Sequence, residues 1–260
     1  MTELVVVGGG KMGEALVGGL LAAGWADTAA ITVVETDPAR RRALAEQFDG
    51  LEVVDRAVAA AGAVVAVKPH HVADVCRSLG ELGVARILSI AAGVRLATME
   101  AEVPPETAVV RAMPNTPALV GMGAAAIAGG SVATDDDLAW AEAILSAVGT
   151  VVRVDEAQLD AVTGLSGSGP AYVFLVAEAL VDAGVAVGLA RPIATDLVVQ
   201  TLRGAGELLA TGQTGAELRA AVTSPGGTTA AGLHALESAA IRAAFADAVS
   251  AATVRSRELG

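Results

Sequence analysis

The 260 residues carry a formal net charge of −12, with a pI near 4.6, which argues against a general nucleic-acid binder because such proteins present a basic footprint. Hydrophobic residues make up 53% of the chain with only three Phe, two Trp and one Tyr, so a large core is available but must be built mainly from Ala, Val and Leu. The single cysteine, Cys76, excludes an intrachain disulfide and a cysteine-rich metal site, and fits a reducing, cytoplasmic setting.

Leu4–Val7 reads as a short buried strand, too short for a signal peptide, and runs directly into Gly8-Gly9-Gly10-Lys11-Met12-Gly13. A helix is expected over Lys11–Ala23. Strand, glycine loop and helix in this order are the context that gives a GxGxxG its meaning. Gly8 permits the tight turn, Gly10 lets the backbone approach a pyrophosphate seated on the helix N-terminus, and Gly13 lets the helix pack near the strand. Lys11 and Met12 lie on the same loop. A merely structural glycine turn is the alternative, and the flanking elements speak against it.

The next strand, Ile31–Val34, is followed by Glu35-Thr36-Asp37 and by a helix over Pro38–Phe48. An acidic residue at this point accepts hydrogen bonds from the adenine ribose, whereas an arginine favours a 2′-phosphate. Glu35 is the better candidate and Asp37 the other, while Arg40 to Arg42 read equally well as a solvated helix face. NADPH and NADH both remain open.

Ala63–Val67 reads as a further strand, and Ala66-Val67-Lys68-Pro69 at its end is placed to line a groove, since ligands of open α/β sheets bind beyond the carboxyl ends of the strands. Adjacent side chains point in different directions on regular elements, so His70-His71 is a poor metal pair and no metal site is expected. A helix over Val72–Leu79 leads to a strand at Arg86–Ile90, whose end, Ala91-Ala92-Gly93, is small enough to leave room for a flat nicotinamide ring. The strand Ala108–Arg111 leads into a loop stiffened by Pro114 and Pro117, where Asn115 offers both a donor and an acceptor. The uncharged run from Ala112 to Thr134 holds those prolines and four glycines, so no membrane span is expected there. Ala124–Ile127 and Val151–Val154 extend the sheet, with a helix over Asp135–Val148 between them. Residues 1–155 therefore read as an α/β dinucleotide-binding domain of Rossmann type with a doubly wound parallel sheet.

From Glu156 the strand-like runs disappear. Leu159–Leu165, Pro170–Val187, Pro192–Ala210, Ala216–Val222, Thr229–Ser238 and Ile241–Leu259 read as helices of an all-α domain spanning residues 156–260. Pro170–Val187 is largely apolar around its whole circumference, as in helices buried in a large core or against another chain, so an obligate dimer is expected. Two loops rich in glycine and hydroxyls interrupt this half: Gly164–Tyr172 and Thr223–Thr229. Both lead into helix N-termini, whose free N–H groups can hold a carboxylate, although a Ser or Thr there is as readily an N-cap.

Taken together, Gly8–Gly13, Ala66–Pro69, Ala91–Gly93, Arg111–Pro117, Asp160–Tyr172 and Thr223–Thr229 resemble the pyrroline-5-carboxylate reductase family, with Gly164–Tyr172 and Ser224–Thr229 the specific segments. The resemblance spans essentially the whole chain. It implies reduction of 1-pyrroline-5-carboxylate to L-proline with NADPH or NADH, the last step of proline biosynthesis, by a homodimer with interlocking helical domains that in the family often assembles into a decamer. It also implies that Ser224, Gly226, Gly227, Thr228 and Thr229 hold the substrate carboxylate, that Thr229 hydrogen-bonds the ring nitrogen, and that Ser168 lies at the substrate site. Glu35-Thr36 stands where the family often carries Asn-Arg or Ser-Arg, which keeps both cofactors in view. Reduction of another small cyclic imine or of a hydroxy acid is the alternative. Related enzymes that oxidise alcohols use a lysine in the helical half, and from Glu156 onward this chain has none. A non-enzymatic dinucleotide sensor would have no need of the two hydroxyl loops.

Overall fold

The computed structural model describes residues 2–259. The chain forms two compact units, one running to Ser168 and taking in the chain end from Ser250, the other spanning Gly169–Val249.

The first unit is built on one eight-stranded sheet of β1 (Leu4–Val7), β2 (Ile31–Val34), β3 (Glu52–Val54), β4 (Gly62–Val65), β5 (Arg86–Ser89), β6 (Ala108–Met113), β7 (Gly123–Gly129) and β8 (Gly149–Arg153). Its helices are α1 (Lys11–Ala22), α2 (Pro38–Gln47), α3 (Val72–Glu81), α4 (Leu96–Glu100), α5 (Asp135–Ser146) and α6 (Leu159–Val162). The spatial order β3-β2-β1-β4-β5-β6-β7-β8 reverses direction between β1 and β4, the switch point at which doubly wound sheets bind ligands. Strands β1 to β6 are parallel. The central strands are β-branched and buried on both faces, so alternate residues feed two cores. Leu4, Val6, Val64, Leu88 and Val110 face one, and Val5, Val7, Val65, Ile87 and Val109 the other.

The sheet departs from the expected all-parallel form at its far edge. β7 runs antiparallel to β6, and β8 runs parallel to β7. Between β6 and β7 the chain makes only a tight 3-10 turn, Thr116–Val120, closed by Gly121. A parallel crossover needs about a dozen residues or more, so this connection can only fold back. Two elements absent from the sequence reading are β3, a half-exposed three-residue edge strand, and the short α4.

The helix expected over Leu159–Leu165 is α6 followed by a π-helical turn, Thr163–Gly167. The Ser168 N–H reaches back five residues to the Thr163 carbonyl at 2.8 Å. Thr163 Oγ1 and Ser166 Oγ donate to the carbonyls of Leu159 and Val162, the back-bonding that bends a helix. α6 packs on β6 and β7 and buries Leu159 completely, which carries the compact unit past residue 155. Ser256 Oγ donates to Asp160 Oδ1 at 2.7 Å and ties the chain end to α6.

The second unit contains α7 (Gly169–Ala186), α8 (Arg191–Ala210), α9 (Gly215–Ala221), α10 (Thr228–Ser238) and the first part of α11 (Ile241–Leu259). Helices α7 and α8 pack against one another. Among the described residues of 169–249 only Ala194 is buried. On α7, Phe174 is 62% exposed and Leu175 66%.

Candidate active site

A groove of about 980 Å³ runs across the carboxyl ends of the strands at the switch point. Gly8, after β1, has φ +113°, and a Cβ there would lie 2.5 Å from the Ala66 carbonyl oxygen. Only glycine can bring the β1 and β4 ends this close. A Cβ on Gly13 would lie 2.0 Å from the Gly8 carbonyl oxygen, so α1 packs directly on the turn. Gly10 is different. It is the N-cap of α1, no side chain caps the helix, and a Cβ there would meet nothing within 4 Å. Gly10, Lys11 and Met12 line the groove, so the uncapped first turn of α1 faces an open cradle. Free N–H groups with the positive end of a helix dipole suit a pyrophosphate, and on that ground the residues fit a dinucleotide.

Further wall segments come from successive strand ends. Glu35 and Thr36 follow β2, and Ala66, Val67, Lys68 and Pro69 follow β4. Ala91 and Ala92 follow β5, opposite Met113 and Pro114 from β6. Glu35 is held on both sides. Its Oε2 accepts from the Gly9 N–H at 3.1 Å and its Oε1 from the Asp37 N–H at 2.9 Å. Arg40 donates to the Gly9 carbonyl at 2.7 Å and pairs with Glu14, whose carboxyl that guanidinium holds below its ordinary range. Arg41 donates to the carbonyls of Glu35 and Thr36 at 2.9 and 2.8 Å. Asp37 caps α2, accepting from the Ala39 N–H at 2.8 Å.

Asn115 does not line the groove. Its Nδ2 donates to the Ser166 carbonyl at 3.0 Å and its Oδ1 accepts from the Ala124 N–H at 2.8 Å, so it clamps the π turn to the β6–β7 connection. Gly93 is a left-handed turn (φ +78°) beside Leu259, also outside the lining. Arg111, nearly buried, donates to Glu156 Oε1 at 2.9 Å, and the same oxygen accepts from the Leu96 N–H at 2.7 Å. Among the described residues no group of three or more His, Cys, Asp or Glu side chains is placed to hold a metal.

In the helical unit, the loop before α10 turns at Gly226, φ +71°. Gly227 is the N-cap of α10, with no side chain capping it. The Gly227 N–H donates to the Ser224 carbonyl at 3.0 Å, and a Cβ on Gly227 would fall 2.5 Å from Ser224 Oγ. Neither Ser224 nor a threonine caps the helix, so the hydroxyls of Ser224 and Thr229 and the first-turn N–H groups are not engaged in capping it. Ser168 closes the π turn through its backbone N–H.

The C-terminal part, residues 156–259, matches the family model described as pyrroline-5-carboxylate reductase dimerisation. Residues 3–93 match the model described as NADP oxidoreductase coenzyme F420-dependent. A pyrroline-5-carboxylate reductase of Mycobacterium tuberculosis is 44% identical, with 100% of this chain and 97% of that protein covered. The chain belongs to the pyrroline-5-carboxylate reductase family. It is an NAD(P)H-dependent oxidoreductase. The solved reductase of Coxiella burnetii superposes with a TM-score of 0.93 at 36% identity, covering 100% of this chain and 98% of that one. The Plasmodium falciparum pyrroline carboxylate reductase, solved with NADP bound, gives 0.84 at 30% identity over 100% and 98%. Residues 156–186 are the one helical stretch among those described that is apolar and long enough to cross a membrane. They fall within the dimerisation match, and a subunit contact needs the same apolar chemistry.

Several groove residues carry no motif that marks them in the sequence. Asp55, Arg56 and Ala57 follow β3, and Asp74, Val75 and Ser78 lie on α3. The first group is found by the strand-end rule once β3 is recognised. Gly9, outside the lining, occupies a position the motif leaves unspecified, yet a Cβ there would meet Leu44 Cδ1 at 2.5 Å and Glu35 Cβ at 3.2 Å.

Proposed function

We propose that this protein reduces 1-pyrroline-5-carboxylate to L-proline, the last step of proline biosynthesis, using NADPH or NADH. Similarity along the full chain to reductases of that name carries the reading. In it, residues 1–155 serve as the dinucleotide domain and residues 156–260 as the dimerisation and substrate domain. Gly8, Gly10, Lys11, Met12, Gly13, Glu35 and Thr36 seat the pyrophosphate and ribose. Ala66 to Pro69, Ala91 to Gly93 and Asn115 shape or support the nicotinamide end. Ser168, Ser224 and the Gly226 to Thr229 segment receive the substrate. The working form is a homodimer with interlocking helical domains, extended in the family to a decamer, in the reducing cytoplasm.

The reduced nicotinamide, when bound, supplies a hydride to the imine carbon. The protein's own part is positioning and proton control. Ser224 and the first-turn N–H groups of α10 hold the carboxylate as an anion at an uncapped helix end. The Thr229 hydroxyl, on that same first turn, faces the ring nitrogen and keeps or relays its proton. A protonated imine is already electrophilic, so the reaction needs no metal and no acid–base pair.

The test is oxidation of NADH or NADPH by the purified protein with pyrroline-5-carboxylate. Thr229→Ala is expected to lower kcat roughly tenfold or more with the fold intact, and Ser224→Ala to raise KM. Full activity in the threonine variant would remove its assigned role, and no oxidation of either dinucleotide by the unaltered protein would sink the reading.

A further inference from the structure

We propose that Glu35 makes this enzyme select NADH over NADPH, an inference that rests on the dinucleotide reading of the groove. Glu35 stands at the carboxyl end of β2, where a side chain of a doubly wound sheet meets the adenine ribose. Each carboxylate oxygen accepts one backbone N–H, from Gly9 at 3.1 Å and from Asp37 at 2.9 Å. A carboxylate has about four acceptor sites. The Thr36 hydroxyl takes a third through a long contact of 3.5 Å to Oε1, which leaves acceptor capacity for a hydroxyl of an unphosphorylated ribose. A 2′-phosphate in the same place sets roughly two more negative charges against that carboxylate.

The carboxylate is not free to swing aside. Its two oxygens are each held by a backbone donor, and even a methyl group added at Gly9 would press on Glu35 Cβ at 3.2 Å. Nor do the two arginines of the first turn of α2 answer a phosphate. Arg40 is directed to the Gly9 carbonyl and Glu14, and Arg41 to the carbonyls of Glu35 and Thr36. Asp55 adds a second carboxylate to the groove wall. Arg56 lines the groove beside it and is the cation placed to oppose the proposed preference, which makes it the control.

Dissociation constants for NADH and NADPH are measured on the intact enzyme by fluorescence titration, with kcat/KM for each in parallel. NADH is expected to bind at least roughly tenfold tighter. Glu35→Gln keeps the side-chain length and one acceptor for the loop, and is expected to narrow that ratio about tenfold. Arg56→Ala leaves NADH ahead. The unaltered enzyme decides the preference even where a variant folds poorly. NADPH binding as tight as NADH, or a preference that survives Glu35→Gln in a folded variant, overturns the proposal and leaves the dinucleotide groove standing. Failure of both dinucleotides to bind overturns the groove reading and the proposal together.

Discussion

In the sheet unit, a four-residue strand such as β1 has every side chain buried, two toward each core. In the helical unit, by contrast, α7 has no buried residue and Phe174, Leu175 and Leu180 lie open, although only Glu178 and Asp182 of its 18 residues are charged. The first unit closes its core within one chain. The second does not, and exposed apolar faces of this extent mark a contact with another chain. The match of residues 156–259 to a dimerisation model agrees. In an assembly of this kind one half is stable by itself and the other half is stable only at the concentration of its partner.

The largest effect expected from this contrast is at α7. Phe174→Asp combined with Leu175→Asp removes two large apolar side chains, each worth roughly 1.5–3 kcal/mol when buried, from each copy of the proposed two-fold contact. Sedimentation velocity should show loss of the dimer, with a drop in helical circular dichroism. Dinucleotide titration should still report binding, because the groove is built entirely in the sheet unit. Persistence of the dimer would break the comparison.

Within the sheet unit the glycine loop offers a smaller contrast between packing and function. Gly13→Ala forces a Cβ onto the Gly8 carbonyl oxygen, which is backbone and cannot rotate away. A cost of about 2–3 kcal/mol is expected, read as a lower denaturation midpoint at unchanged slope. Gly10→Ala meets open space and should alter stability by less than about 0.5 kcal/mol. Its methyl group enters the cradle at the α1 N-terminus, so dinucleotide affinity should fall while the midpoint holds. Equal effects of the two substitutions on stability would mean that Gly10 serves packing as well.

Much of this architecture is legible in the sequence for a simple reason. Leu4–Val7 and Ile31–Val34 are continuous apolar runs buried on both faces, and such runs announce themselves. β3 does not, since Glu52-Val53-Val54 is short, half exposed and at an edge, and the groove positions of Asp55 and Arg56 are hidden with it. Strand direction is invisible to a hydrophobic pattern, so the reversal at β7 follows only from the length of the turn before it. Side-chain pairings across long separations are equally hidden. Asn115 offers a donor and an acceptor on paper, but that these go to Ser166 and Ala124 depends on the π turn folding back. The hydroxyl loop at Ser224 could be read either as a helix cap or as a ligand site, and Gly227 at the N-cap position removes the first reading.

The effect that appears only at high pH concerns Cys76, which reports on the sheet unit alone. It is fully buried on α3, and burial, reinforced by nearby Glu102, pushes its thiol up from 9.0 to about 12. The native thiol should therefore resist alkylation at neutral pH, because the thiolate is the reactive form. The same shift affects stability at high pH. Unfolded chains lose this proton near 9 while folded ones keep it to about 12, so the unfolded state binds fewer protons in between and stability falls as pH rises through that window. The loss should be on the order of 1 kcal/mol by about pH 10. Combined with the α7 double substitution, slow alkylation would show the sheet unit closed while the helical unit has lost its partner. Fast alkylation would show that the two halves open together.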